Sequence, residues 1–389
     1  MREVFVVGIG RTPVTRGGDH RPAQLAASAV RQCLDDAGFE PADVDALFVG
    51  NMASGILSSQ LQLAALVAEH SGLPGVEALT LEAACASGSA AMRMGYMAIA
   101  GGMHRSVVVC GTEQLAHADK HSAAAALATA ADYELESSRN ETFVTLNATL
   151  MRLYLERYRL EADKLSGFSI TAHANAAGNP LALFRKSIMP EDYCASRIVS
   201  EPLRLYDISP ICDGAAAVLL TDAEVARTLA RHGATVRVAA SSVATMPLAL
   251  AKRSDALDLA AARQAAEAAF RQAGVDRSRM DLFELHDAYT IMTALSLEAC
   301  GYAAPGEGWR LAGDEHTGLR GELPIATLGG LKARGHPVGA TGVYQIVEAC
   351  LQLRGAAGEN QIPGAEFALT QNVGGTASTV INHILHRAS

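Results

Sequence analysis

The sequence predicts an α/β fold built from two similar halves, and three observations carry the prediction. Short apolar runs alternate with Ala-rich segments of helical period, the pattern of a mostly parallel sheet with both faces covered. Ala37-Gly-Phe-Glu-Pro-Ala-Asp-Val-Asp45 resembles Ala273-Gly-Val-Asp-Arg-Ser-Arg-Met-Asp281 at an offset of 236 residues. Each follows an Ala-rich helix containing Arg-Gln and precedes a short apolar run, so the matching context points to an internal duplication. Glycine-rich and polar residues collect at the ends of the predicted strands, where open α/β sheets bind ligands.

The elements follow in order. Val4 to Val7 is a buried strand ending at Gly8. Gln24 to Ala37 sets Leu25, Ala29, Cys33 and Ala37 on one helical face, and Gly38 ends the helix. Val44 to Val49 is a second strand, followed by Gly50-Asn51, and Ser59 to His70 is helical. Val76 to Leu81 reads as a buried strand running into a helix that reaches about Gly101, and Ser106 to Cys110 is a further strand. Residues from about 117 to 205 break the alternation and read as an insertion packed over the first half. Within it His121 to Ala131 is weakly patterned, Leu146 to Tyr158 and Leu165 to Ala177 are helices, and Asn179-Pro180 and Met189-Pro190 are turns. Val218 to Leu220, after Asp213-Gly214, returns to the first half, and Thr235 to Ala240 opens the second. The units are therefore 1–230, with the insertion, and 231–389. In the second, Tyr302 to Leu323 is a loop, Val343 to Leu353 a helix and Phe367 to Thr370 a strand.

With 389 residues, 49% of them hydrophobic and 19% charged, the chain has a globular composition and room for a large core. A net charge of −9 and 5% aromatic residues argue against nucleic acid, which calls for a basic groove or a stacking platform. The cysteines are scattered with no Cys-x-x-Cys pair, so neither a zinc site nor a disulfide framework is indicated, and reduced thiols in a cytoplasmic enzyme fit best. The first residues lack the features of a signal peptide, and no apolar run is long enough to span a bilayer.

Four segments carry candidate chemistry. Cys85 lies in Glu82-Ala-Ala-Cys-Ala-Ser-Gly-Ser-Ala-Ala91, at the predicted strand-to-helix junction. A helix start offers unpaired N–H groups and partial positive charge, which favour the thiolate, the nucleophilic form. A lone Cys in such a place is more often a small apolar filler; the other segments decide against that here. His286 closes the strand Leu282-Phe-Glu-Leu, where read alone it serves equally well as a structural His bonded to a carbonyl. His336 sits in Gly329-Gly-Leu-Lys-Ala-Arg-Gly-His-Pro-Val-Gly-Ala-Thr-Gly342, a turn that glycines open to a ligand and Pro337 fixes. That loop lacks the Gly-Lys-Ser/Thr of a phosphate loop. Gln371-Asn-Val-Gly-Gly-Thr376 can offer N–H groups as an oxyanion hole, although alone it reads as an ordinary tight turn. A nucleophilic Cys, two His and glycine-rich turns are the parts needed for acyl transfer through a thioester.

The Cys85 segment, Asp213-Gly-Ala-Ala, His286-Asp-Ala-Tyr, Gly335-His-Pro-Val-Gly-Ala-Thr-Gly and Asn372-Val-Gly-Gly stand in the order found in thiolases. The chain resembles that family over essentially its whole length, and the Gly-His-Pro loop is the most specific part. In motif it looks closest to archaeal-type and sterol-carrier-protein-type thiolases; the latter carry His-Asp-Cys-Phe where this chain has His286-Asp-Ala-Tyr289. The resemblance implies the thiolase fold: duplicated α/β halves in a five-layered αβαβα core, an inserted loop domain that holds coenzyme A, and a homodimer or homotetramer. It implies coenzyme A thioesters as substrates and no bound metal or redox cofactor. It implies that Cys85 takes the acyl group, that His336 draws its proton, and that His286 positions a water in an oxyanion hole. The N–H groups of Cys85 and Gly374 would form a second hole, and Ser209 would contact coenzyme A.

One departure matters. Thiolases carry a second Cys in a Cys-x-Gly motif, and here that position is Asn372; the sterol-carrier-type alternative is Ala288. Asn cannot serve as a base, so His286, Tyr289 or Tyr344 are the titratable substitutes. Tyr, with an ordinary pKa near ~10, acts as an acid more readily than as a base. Archaeal-type relatives also show Asn in this motif, which argues against lost activity. Three functions follow in order. The first is an acyl-CoA C-acyltransferase using acetyl-CoA, acetoacetyl-CoA or another 3-oxoacyl-CoA. The second is a thiolase-like aldolase or an acyltransferase to a non-CoA acceptor, working with a small zinc-ribbon/OB-fold partner. The third is an inactive CoA- or lipid-binding subunit, against which the intact Cys85 and His336 count.

Overall fold

A computed structural model describes residues 1–73, 75–229 and 235–388. The chain opens with β1 (Val4–Arg11), α1 (Pro22–Ala37), β2 (Ala46–Gly50), α2 (Ser54–Leu57), α3 (Leu63–His70), β3 (Glu77–Leu81), α4 (Ser87–Ala100) and β4 (Ser106–Glu113). Next come α5 (Lys120–Ala128), α6 (Phe143–Tyr158), α7 (Ser166–Ala177), α8 (Pro190–Ala195) and the hairpin β5 (Ile198–Ser200) with β6 (Leu203–Arg204). β7 (Gly214–Asp222), α9 (Ala223–Leu229), β8 (Val236–Thr245), α10 (Ala260–Ala273), β9 (Leu282–Glu284) and α11 (Thr290–Ala299) follow. The last elements are α12 (Asp314–Thr317), α13 (Thr341–Leu353), β10 (Phe367–Gly374) and β11 (Thr379–Arg387). The expected boundary at 230/231 lies outside the described residues.

The strands run β3-β2-β4-β7-β1-β8-β11-β10-β9. Among the described residues β1 and β8 meet only through Phe5–Arg237 and Val6–Val236, so two half-sheets are joined at a short seam. α4 and α13 lie between the half-sheets, where Met92, Ile99, Val343, Ile346 and Val347 pack with Val109 and Val218 of one and Val238 and Leu385 of the other. α1 and α3 cover the outer face of the first half-sheet, and α10 and α11 that of the second. The result is the expected five-layered α/β arrangement. The duplication is visible in the backbone. α1 and α10 end at left-handed Gly38 (φ 60°) and Gly274 (φ 67°). Each is followed by a 3-10 turn, Pro41–Asp43 or Arg277–Arg279, and then by β2 or β9. β2 pairs in parallel with β3, whereas β9 keeps only the single parallel bridge Phe283–Ile325 in its place.

Several expectations are corrected. The strand before Cys85 is not buried: β3 is an edge strand paired only with β2, and Leu79 on it is 47% exposed. The helix expected over Ser59–His70 breaks, because Ser59 (φ 51°) and Gln62 (φ 57°) are left-handed between α2 and α3. The Tyr302–Leu323 loop contains a 3-10 turn at Gly308–Leu311 and α12. The strand ending at Thr370 in the sequence reading continues to Gly374, so the supposed turn residues Gln371–Gly374 still pair with β11. Among the described residues no helix is long and apolar enough to cross a membrane.

Candidate active site

The ends of β3, β9 and β10 and the turn before α13 converge at one place, and glycines permit it. A Cβ added at Gly88 would lie 2.9 Å from Gly339 O, and one at Gly374 would lie 2.5 Å from Ala83 O. A Cβ at Gly342 would lie 2.3 Å from Asn372 Oδ1 and 2.4 Å from Ser89 N. Backbone from both halves thus reaches a closeness that any side chain would prevent.

Cys85 is presented by a strained turn. Ala84 is left-handed at φ 52°, a conformation that costs a non-glycine residue about 1–2 kcal/mol. The turn is held by Ala84 N–H donating to Glu82 Oε1 at 2.5 Å and Ala83 N–H donating to Ser87 Oγ at 2.9 Å. Ser87 Oγ in turn donates to Ala84 O at 2.6 Å. Cys85 shares an apolar cluster with Ala53, Leu115 and Val338 and is 9% exposed.

His336 is buried and neutral. Burial, with His286 and Arg334 nearby, holds its pKa well below the ordinary imidazole value. Its Nδ1 lies 2.7 Å from Thr341 Oγ1, whose own proton goes to Pro337 O at 3.2 Å. Thr341 Oγ1 therefore accepts from Nδ1–H, and Nε2 is left as a bare acceptor. His286 stacks edge to face on His336, ring centroids 5.0 Å apart. Asn372 Nδ2 lies 3.1 Å from His286 Nδ1 and donates to it, which puts the His286 proton on Nε2. Burial also pushes the His286 pKa down, to about 3. The two rings thus have opposite polarity, one accepting and one donating. Gly374 lies against the Cys85 turn, at the end of β10.

The remaining candidates separate. Tyr289 is half-buried beside the sulfur; burial, then the neighbouring Cys85, raises its pKa. Ser209 N–H donates to Ala288 O at 2.9 Å, and Ile208 bridges Tyr289, which brings Ser209 next to Tyr289. Tyr344 is fully buried and its hydroxyl donates to Thr12 O at 2.8 Å, so its proton is committed to the scaffold. Sequence reasoning missed the supports behind these groups. Lys332 Nζ is 3.2 Å from Asp287 Oδ2 and Arg334 Nε is 3.0 Å from Glu348 Oε1, both pairs buried under the Gly-His-Pro turn. Glu113, fully buried at the end of β4, bonds to the same turn. The available signal was charged residues inside otherwise apolar or glycine-rich runs.

The expectation of a thiolate at Cys85 is corrected. α4 begins at Ser87, past the sulfur, and burial, reinforced by Glu113, pushes the Cys85 pKa up to about 12. The resting pair is thiol and neutral imidazole. Alkylation of Cys85 by iodoacetamide, followed by peptide mapping, should therefore speed up about tenfold per pH unit from pH 7 to 10 without levelling off. A plateau below pH 8 would instead mean a preformed ion pair.

A recessed thiol, an accepting imidazole and a donating imidazole at the seam of duplicated α/β halves define a cysteine-dependent acyltransferase. The chain belongs to the thiolase family: profiles described as "Thiolase, N-terminal domain" and "Thiolase C-terminal domain-like" match residues 4–224 and 242–387. It is 40% identical over 387 residues to an acetyl-CoA acetyltransferase of Methanothermobacter thermautotrophicus, with 100% of both chains covered. A second protein of that name, from Methanocaldococcus jannaschii, is 34% identical with 99% of each covered. Human sterol carrier protein 2 is 27% identical over 98% of this chain and 71% of its own length. Among solved structures, the Ltp2-ChsH2(DUF35) aldolase matches with a TM-score of 0.86 at 24% identity, covering 99% of this chain and 98% of that one. Human mitochondrial 3-ketoacyl-CoA thiolase matches at 0.76 and 17%, covering 100% and 99%.

Proposed function

We propose that the chain is an acyl-CoA C-acyltransferase that carries its acyl group on Cys85 and uses acetyl-CoA and acetoacetyl-CoA. The observation that carries this reading is that the Cys85 turn and the His336 turn converge, with Cys85 and Val338 in one apolar cluster, and that the imidazole has Nδ1 committed to Thr341, leaving Nε2 to accept. In acylation the sulfur attacks the thioester carbonyl as His336 Nε2 takes its proton. The bond to coenzyme A breaks as Tyr289 gives its proton to the departing sulfur, which leaves Tyr289 as the base for the next step, while His336 keeps the Cys85 proton and returns it when Cys85 is released. The N–H groups of Cys85 and Gly374 and the Nε2–H of His286 are the donors proposed for the two developing oxyanions.

In condensation a second acyl-CoA loses an α-proton and its carbon attacks the acyl group, releasing Cys85; thiolysis is the reverse. Asn372 cannot move that proton, and His286 presents N–H rather than a lone pair. Tyr289, beside the sulfur with a raised pKa, is the group we assign to it, giving its proton to the leaving carbon in thiolysis and regaining one from the attacking coenzyme A. The exposed β3 edge, with Leu79 on it, supports assembly with a second copy, and free cysteines fit a cytoplasmic setting.

Asn372 also motivates the second reading, transfer to a non-CoA acceptor or aldol chemistry with a small zinc-ribbon/OB-fold partner. Incubation with acetyl-CoA should leave an acyl group on Cys85, and acetoacetyl-CoA should be cleaved only when coenzyme A is present. Acylation without cleavage would transfer support to the partner-dependent reading, and no adduct on Cys85 would remove the acyltransferase reading.

A further inference from the structure

We propose that Glu113 is a positioning residue of the acyl-transfer reaction, clamping the turn that carries His336 to the loop that walls in Cys85. The proposal rests on the acyltransferase reading and adds a residue to it. All eight residues of β4 are buried, and its last one, Glu113, places a carboxylate where strand ends from both halves meet. Oε1 accepts from Asn51 Nδ2 at 3.0 Å and from Ala53 N–H at 3.3 Å. Oε2 accepts from Met52 N–H at 3.0 Å and from Gly339 N–H at 3.2 Å. The first three donors belong to the loop after β2, and the fourth to the turn before α13. An ionised carboxylate is an acceptor with about four lone-pair sites, so a single group satisfies the whole set.

The geometry around this clamp is tight. A Cβ on Gly339 would fall 2.8 Å from Glu113 Oε2 and 2.7 Å from Asn51 Cα. Ala53 is one of the clamped residues and Val338 precedes another, and both belong to the small apolar cluster that contains Cys85. His336 is three residues from the clamped Gly339. The carboxylate therefore fixes the base-bearing turn against the wall of the nucleophile's pocket without touching the reacting atoms. Burial raises the Glu113 pKa to about 7 against the four N–H donors that lower it, so above that pH the group is ionised and its negative charge opposes ionisation of Cys85, second only to burial. Reach and charge are thus separable properties of one side chain, and each has its own readout.

The test uses Glu113→Asp, which keeps the charge but shortens the reach, and Glu113→Gln, which removes the charge and turns an N–H donor toward donors. Thermal melting selects folded protein, and if the Gln variant does not fold the Asp variant carries the test alone. Acylation of wild-type Cys85 by acetyl-CoA is the control; its failure would defeat the acyltransferase reading rather than the clamp. For folded Asp variant, kcat for acetoacetyl-CoA thiolysis should fall roughly 10²-fold, with KM within about threefold, because misplacement by an ångström costs that much. Its Cys85 alkylation–pH curve should not move. The Gln variant should lose similar activity, and its alkylation curve should move down by about one pH unit as the like charge is removed. The clamp is overturned if the Asp variant keeps kcat within about threefold, if the loss falls on KM alone, or if the Gln curve stays or moves up.

Discussion

A Cys85→Ser variant is expected to lose both the acyl adduct and turnover, with kcat down on the order of 10⁴-fold or more, while its melting temperature stays within a few degrees. That loss corresponds to about 5 kcal/mol of transition-state stabilisation. The size of the effect follows from what surrounds the sulfur. Cys85 is recessed among Ala53, Leu115 and Val338, and no other cysteine stands in that apolar group. The change of S to O barely alters volume, so packing survives. The hydroxyl is a far weaker nucleophile, however, and the site has no preformed anion to compensate, since burial already keeps even the thiol protonated. The backbone strain at Ala84 would persist in the variant, because it belongs to the turn and not to the sulfur. The assay is thiolysis of acetoacetyl-CoA together with intact-mass and peptide mapping after acetyl-CoA treatment. Turnover near the wild-type rate in the Ser variant would show that Cys85 is not the acyl carrier.

Much of this architecture is legible in the sequence. The pair of Gly-ended helices at Gly38 and Gly274 announced the duplication, because a left-handed cap strongly favours glycine. The Gly-His-Pro segment was legible for a related reason: so many glycines around one His make sense only where backbones meet. What the sequence hid were properties set by distant neighbours. Whether an apolar run is interior or edge depends on who pairs with it, and β3 has a partner on one side only. The ionisation of Cys85 was misjudged because local helix geometry favours the thiolate, while burial and Glu113, 28 residues further along the chain, outweigh it. The tautomers of the two histidines were invisible, since they are written by Thr341 and Asn372 through space. Tyr344 illustrates the converse: a titratable residue near the motif whose hydroxyl is spent on Thr12 O.

The tautomer of His336 leads to the second large effect. His336→Ala is expected to slow acylation of Cys85 by roughly 10²–10⁴-fold, the contribution of a positioned general base. The argument runs through three atoms. Pro337 O takes the Thr341 hydroxyl proton, Thr341 Oγ1 takes the Nδ1 proton of His336, and Nε2 is left with a lone pair. Burial and the neighbouring His286 and Arg334 lower the pKa of the ring, so that lone pair stays available at neutral pH. Because the Cys85 thiol is itself hard to ionise, the proton must move as the sulfur attacks, and the base cannot be dispensed with. Thr341→Val tests the same chain of bonds without removing the ring. Val has nearly the shape of Thr but no acceptor, so the ring is released from its tautomer and acylation should slow by at least about tenfold. A loss in the Ala variant with full activity in the Val variant would keep the base and discard the tautomer argument. Acylation at the wild-type rate in folded His336→Ala would remove His336 as the base.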